Sequence, residues 1–562
     1  MAGSGTPRAH STRVGSSPTG RRSLLAGAAR VAVAAVTAAC LWSAPAWAEA
    51  PSREQVLDTM RRATSFMVEK VSTNGGYVWS YLPDFSRRWG ELEAKPSMIW
   101  VQPPGTGTMG HLFLDAYHAT GDEYYYQAAE KAAAALIWGQ HPSGGWNYLI
   151  DFGGEASLKD WYATTGANAW RMEEFQHYYG NATFDDAGTA EASTFLLRLY
   201  VEKRDPKYRP ALEKAISFVL DSQYPIGGWP QRFPLRHEFS HHGRPDYTSF
   251  ITFNDDVAGE NIKFLIFCYQ VLGEQRALDA ITRAMNSFLV TQQGQPQPGW
   301  ALQYTPDLKP AGARSYEPLA LATHTTAANL KLLMDFYQLT GETKFLARIP
   351  EALDWLDSVR LPAAQVRNNR AHPTFIEIGT NKPLFIHRRG SNVVNGEYYA
   401  DGSLEKVVGH YSSVRALDVA GLRRRYEALK AMPVAEATRG SPLLATAAME
   451  LPRYFTLREM EVSDLNSSRD GRPGDEASPE RVAQLLSALN AEGYWPTELR
   501  STSNPYRGPG PAQPAPGDFA TTHVGDASDT SPYPVERGVT GISTGTYIQN
   551  MGALIGYLAG RR

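Results

Sequence analysis

The chain has 562 residues, 43% hydrophobic and 11% aromatic, which excludes a disordered or fibrous protein and allows one large domain or several ordinary ones. It carries 55 basic and 58 acidic side chains, a balance that argues against nucleic acid as the main ligand. Beyond the N-terminus no run is apolar enough to cross a bilayer, so no membrane partner is expected.

Residues 1–48 read as an export signal. Arg21-Arg22-Ser23-Leu24-Leu25 precedes an Ala/Val/Leu run to Ala39, and Ala46-Trp47-Ala48 is a small-x-small cleavage site. The arginine pair favours the twin-arginine route over an ordinary secretory signal. A lipoprotein signal ending at Cys40 is disfavoured by Thr37, where a large aliphatic is usual. The expected location is periplasmic or secreted, in a bacterium. Cleavage would remove five arginines and no acid, leaving 50 basic against 58 acidic side chains. A local arginine cluster or a bound cation could still take an anionic substrate inside a cleft. Cys268 would be the sole cysteine left, in the apolar run FLIFCYQ, and reads as a core residue.

A repeated grammar organises the middle of the chain: helix, short polar turn, helix, Gly-aromatic turn. A half-unit, Arg53–Tyr77, comes first. Four units follow: Gly110–Trp146, Ala192–Trp229, Glu260–Trp300 and Ala328–Ser358. Gly76, Gly145, Gly228 and Gly299 mark turns recurring roughly every 70–80 residues, the sign of repeated supersecondary units. Apolar spacing, as at Ala215, Ile216, Phe218 and Leu220, supports helices. The expected fold is all-α, an (α/α) toroid or barrel of helical hairpins with short irregular strands and long loops. Its aromatic turns would gather on one face with the site.

Residues 361–431 mix strand-like runs such as Phe375–Gly379 with loops. Residues 467–480 and 501–539 are rich in Gly, Pro, Ser and Asp and read as exposed loops. Gly493-Tyr494-Trp495-Pro496 repeats the turn, and Thr544–Leu558 reads as a final helix. The expected organisation is a signal over 1–48, a catalytic toroid over 49–430, and an extension over 431–562 that closes it. A small separate C-terminal domain is the alternative.

Few residues can carry chemistry. Gln223–Asp256 holds a Gly-Gly-Trp-Pro turn with an aromatic surface at Trp229, a polar insertion, and Thr252 before Asn254-Asp255-Asp256 at a helix start. Capping accounts for one carboxylate there. Two adjacent ones repel unless a cation or an arginine neutralises them, and a hard cation such as Ca²⁺ takes such oxygens. Asp185-Asp186 has the same form on the preceding repeat. Arg314-Ser315-Tyr316-Glu317 precedes the fourth unit; a surface pair of Arg314 with Glu317 is the plainer reading. Lys382, Arg388 and Arg389 fall on one loop, a clamp for a polyanion if it faces the acids and a solvated loop otherwise. His237, His241 and His242 have metal-like spacing, but a loop explains them better.

The run GGWPQRFPL followed by ITFNDD resembles the signature of polysaccharide lyase family 10, pectate lyases of α/α-toroid fold. Phe184–Thr189, GWALQYTPDLKPAGARSYEP and FIEIGTNKPLFIHRRG match in the same order, over roughly Phe175–Gly390. The resemblance implies Ca²⁺-assisted β-elimination on polygalacturonate, and a monomer is the expected state. It implies Arg314 as the base, and Asp186 with Asp255 or Asp256 as Ca²⁺ ligands. Asp185, Trp229, Thr252, Lys382, Arg388 and Arg389 would meet the substrate. Departures from the family pattern stand at Thr374, Lys382, His387–Gly390 and Lys406–Tyr411, and they touch the grip on flanking sugars. An inverting glycoside hydrolase uses the same fold with two carboxylates. A terpenoid cyclase is disfavoured by export and by the want of an Asp-rich motif in an apolar setting. A non-catalytic polysaccharide-binding protein is the third alternative.

Overall fold

The computed structural model describes residues 50–166, 173–236, 246–391, 394–407, 413–467, 477–499 and 539–560. The export signal and His237, His241 and His242 lie outside the described residues. The described residues fall in one compact unit.

Fourteen helices are seen among the described residues: α1 (Arg53–Phe66), α2 (Thr106–Thr120), α3 (Glu123–Trp138), α4 (Glu155–Thr164), α5 (Gly188–Lys203), α6 (Arg209–Asp221), α7 (Val257–Leu272), α8 (Arg276–Thr291), α9 (Thr323–Thr340), α10 (Ile349–Ser358), α11 (Val419–Ala431), α12 (Val434–Ala437), α13 (Pro479–Ala488) and α14 (Thr544–Gly560). The four expected hairpins are α2/α3, α5/α6, α7/α8 and α9/α10. Their shared faces bury Leu112, Leu136, Leu196, Ile216, Phe264, Ile281, Leu333 and Leu353. Cys268 is buried among them. The first helices pack in the order α14, α2, α5, α7, the toroidal succession, with α8, α9 and α11 continuing it.

The half-unit at the N-terminus is completed from the other end of the chain. Helix α14 packs on α1, α2 and α13, and Ser80-Tyr81 pairs with Ser543-Ile542 in an antiparallel ladder. Residues 442–456 cross to the hairpins. Gln270 donates to the Pro442 carbonyl, and the Phe455 and Thr456 amides donate to Asp115, itself paired with Arg198 at 2.6 Å.

The Gly-aromatic turns are joints between hairpins. The Trp146, Trp229, Trp300 and Trp495 indoles donate to the carbonyls of Leu136, Val219, Phe288 and Leu485, each in the preceding helix. The glycine before the ring touches the next hairpin's second helix. At Gly227, φ is +107° and an added Cβ would lie 2.0 Å from the Arg283 carbonyl oxygen of α8. Gly227→Ala is therefore expected to lower stability by more than the ~1–3 kcal/mol of a strained backbone alone, since α8 must also move. A thermal midpoint unchanged by the substitution would contradict this account of the joint.

Candidate functional site

The turns and helix starts bring the N-termini of α2, α5 and α7 together. Residues 185–187 and 254–256 form matching short turns before α5 and α7, and the two turns touch. Their backbones share a register. Asp186 and Ala187 have φ of 49° and 57°, while Asp255 and Asp256 have 50° and 54°. Left-handed backbone at such residues costs on the order of 1–3 kcal/mol each and persists where surroundings enforce it. Phe184-Asp185-Asp186-Ala187 thus superposes in sequence on Phe253-Asn254-Asp255-Asp256. The two Asp-Asp pairs, alike in form, are one residue out of step.

That offset sorts the carboxylates. Asp185, Asp186 and Asp255 each offer an oxygen within 4.8 Å of the others, a group able to hold a metal ion. Asp256, expected as a possible ligand, stands apart: it is exposed and lies over Gly259 in the first turn of α7. The partial positive ends of α5 and α7 favour the clustered charges.

Arg314 lies at the bottom of this cluster, 2% exposed. Its Nη2 pairs with Asp185, its Nη1 with Glu317 at 3.1 Å, and its Nε lies 3.4 Å from Glu174. The Arg314 amide donates to Glu317 at 2.9 Å, so the turn at 314–317 is closed by its own side chain. The pairing with Glu317 is thus real but buried, not a surface contact. Asn254 links the parts, donating to Asp255 at 2.6 Å and to Glu317 at 3.2 Å.

Sequence reasoning missed several members. Tyr148 donates to Asp185, and Tyr316 donates to Glu174 at 3.2 Å. Glu173 accepts the Ser315 amide at 2.8 Å. Gln102 donates to both Asp186 (2.7 Å) and Glu91 (2.9 Å). The adjacent Glu173-Glu174 ahead of Phe175 is a signal of the Asp-Asp kind and was legible. Glu91 and Gln102 have no such mark.

The electrostatics follow from crowding. Burial, then Asp185 and neighbouring acids, raise Asp186 and Asp255 well above the carboxylate range. Burial pushes Glu174 up to about 7, against Arg314. Burial also acts upward on Asp185, but Arg314 and Tyr148 hold it below its usual range. Asp185 Oδ1 is buried with no hydrogen-bond partner. The donor set is all oxygen, and one buried oxygen is left over; this is chemistry that a hard cation takes.

Other expected site residues are placed differently. Trp229 is fully buried with its indole hydrogen-bonded, so the expected aromatic surface is a core joint. Thr252 is buried too, its amide donating to the Trp229 carbonyl at 2.9 Å. Lys382, Arg388 and Arg389 were expected on one loop. Instead Pro383–Ser391 is a β-strand paired with Val394–Asp401, because Phe385, Ile386 and Tyr398 bury themselves. Lys382 is exposed just before that strand. The side chains of Arg388 and Arg389 lie outside the described residues. Thr374 is buried and accepts from Arg415 at 3.2 Å.

Residues 152–401 match the protein family described as Pectic acid lyase. Glu91, Gln102 and Tyr148 lie before that match. No curated protein matches the chain. Among solved structures it is similar to a family 10 polysaccharide lyase from Cellvibrio cellulosa, with 20% identity, a TM-score of 0.35, and 50% of this chain and 84% of that one covered. A mutant of that lyase in complex with trigalacturonic acid is similar at 19% identity and TM-score 0.34, over 50% and 85%. An α-1,6-mannanase from a Salegentibacter species is similar at 13% identity and TM-score 0.31, over 56% and 72%.

Proposed function

We propose that this chain, a polysaccharide lyase by the match of residues 152–401 to the pectic acid lyase family, cleaves polygalacturonate by Ca²⁺-assisted β-elimination. One observation carries the reading. Asp185 touches the buried Arg314 with one oxygen and leaves the other unpaired beside Asp186 and Asp255. A basic side chain and a cation pocket thereby share one carboxylate.

Asp185, Asp186 and Asp255 would hold the ion. Bound Ca²⁺ would neutralise the uronate carboxylate and so acidify the C5 proton. Arg314 takes that proton in its neutral form, having first given one of its own to solvent, which calls for an alkaline optimum. The C5–H electron pair becomes the C4–C5 double bond, and the C4–O4 bond breaks with its pair leaving on O4, which takes a proton from water. Glu174 and Glu317 fix the guanidinium plane, and Tyr148 fixes Asp185. The ion would also take up charge on Asp185 that Arg314 now balances, loosening the arginine for its role.

The test is to incubate the protein with polygalacturonate, with Ca²⁺ and then with a chelator. Ultraviolet absorbance of a 4,5-unsaturated product is expected with the ion and is lost with the chelator. New reducing ends without that absorbance would identify a hydrolase instead. Binding without either would identify a non-catalytic relative.

A further inference from the structure

Arg232, in the Gly-Gly-Trp-Pro-Gln-Arg stretch, is a buried cation that makes no ion pair among the described residues. It is 2% exposed. Its Nη1 makes two long hydrogen bonds, 3.4 Å each, to the amide oxygens of Asn147 and Asn181. Its Nη2 has no hydrogen-bond partner. Its Cζ sits 4.3 Å from the ring centre of Tyr179 and 5.2 Å from that of Tyr148. The ionisable groups that act on it most strongly are tyrosines, neutral at pH 7.

Such an arrangement is costly unless something completes it. A buried charge is ordinarily paired, and tyrosine faces return only part of the lost hydration. Lysine would lack the fork, and a neutral residue would fill the same space at less cost. The free nitrogen can meet one oxygen of a carboxylate, and its neighbour, held only by two long bonds, can turn to the other. The position is adjacent to the acid cluster. Residue 232 pairs in register with Thr183, two residues before Asp185, and Tyr148 lies against Arg232 while its hydroxyl reaches Asp185. Asn147, which bonds Arg232, and His177, on which its charge acts, are both half-buried, so the neighbours of the guanidinium reach the surface though it does not.

We propose that Arg232 is the receptor for a second substrate carboxylate, on the sugar next to the one held at Asp185, Asp186 and Asp255. A polyuronate carries one carboxylate on each sugar, so two neighbouring anion sites read the polymer and reject a methyl-esterified neighbour. This rests on the pectate reading of the site. Arg232 is a binding and specificity residue; it takes no part in the proton transfer.

The experiment compares the full chain with its Arg232→Gln and Arg232→Lys variants. Binding of trigalacturonate and of its trimethyl ester is followed by calorimetry, alongside the thermal midpoint without ligand. Arg232→Gln should weaken trigalacturonate binding about tenfold to a hundredfold, leave the ester unaffected, and raise KM with little change in kcat. Arg232→Lys should recover part of the loss. The ligand-free midpoint of Arg232→Gln should stay level or rise, because an unpaired charge has gone. Equal binding of trigalacturonate by the native chain and Arg232→Gln would overturn the proposal, as would a fallen midpoint with binding intact. If the native chain neither binds nor cleaves polygalacturonate, the pectate reading fails by itself. The receptor is then read with glucuronate and acetate: a thermal shift in the native chain that Arg232→Gln abolishes sustains it, and its absence overturns it.

Discussion

Arg314→Ala should cost about 10²–10⁴-fold in kcat/KM on polygalacturonate, the range for a positioned acid or base. It should also destabilise the protein by about 3–5 kcal/mol, because removing one partner of a buried ion pair strands the other. Here Asp185, Glu174 and Glu317 are stranded together, all nearly inaccessible. Arg314→Lys separates the two effects. It keeps a positive charge among the acids but loses the fork that meets Asp185 and Glu317 at once. Stability should return in large part while the rate stays low. Initial rates by ultraviolet absorbance and midpoints by thermal unfolding decide it. A lysine variant with native turnover would remove Arg314 from the chemistry.

Asp255→Asn should abolish the Ca²⁺ dependence of both rate and stability. In the native chain the ion should stabilise by mass action, about 2.7 kcal/mol at a hundredfold excess over Kd. That increment should vanish in the variant. In chelator the order reverses: Asp255→Asn should melt above the native chain, because it removes one of three crowded carboxylates. Asp256→Asn serves as the control, since Asp256 is exposed and lies over the start of α7. It should keep the Ca²⁺ response. Loss of that response in Asp256→Asn, with Asp255→Asn unaffected, would reverse the assignment of the two.

Much of this arrangement is legible in the sequence, because hairpins and turns are local. Gly227 and Trp229 announce their joint in four letters, and the helices between joints carry an apolar stripe. The clustering of Asp186 and Asp255 also follows from repetition, since equal positions on successive hairpins fall at the same end. Three things escape that logic. The one-residue offset between the two acidic turns is a backbone property, set by left-handed φ at Asp186 and Asp255. Trp229 reads equally well as a sugar platform or a core ring, and only packing against α6 decides for the core. Glu91 and Gln102 enter the site from a segment with no repeat behind it, where nothing local foretells the distant partner.

The union of α1 with α14 bears on how the chain reaches this form. Residues 80–81 must find 542–543 across all the hairpins between them. Domains fold as they emerge, N-terminal part first, yet α1 here waits for α14, far later in the chain, before its apolar side is covered. Until then Val56, Met60 and Ala63, all fully buried in the finished protein, have no α14 to lie against. The late contact bridges a long loop, which slows its search more than it weakens the product. A rearranged gene in which α14 directly precedes α1 would make that contact local, and should refold faster to the same structure.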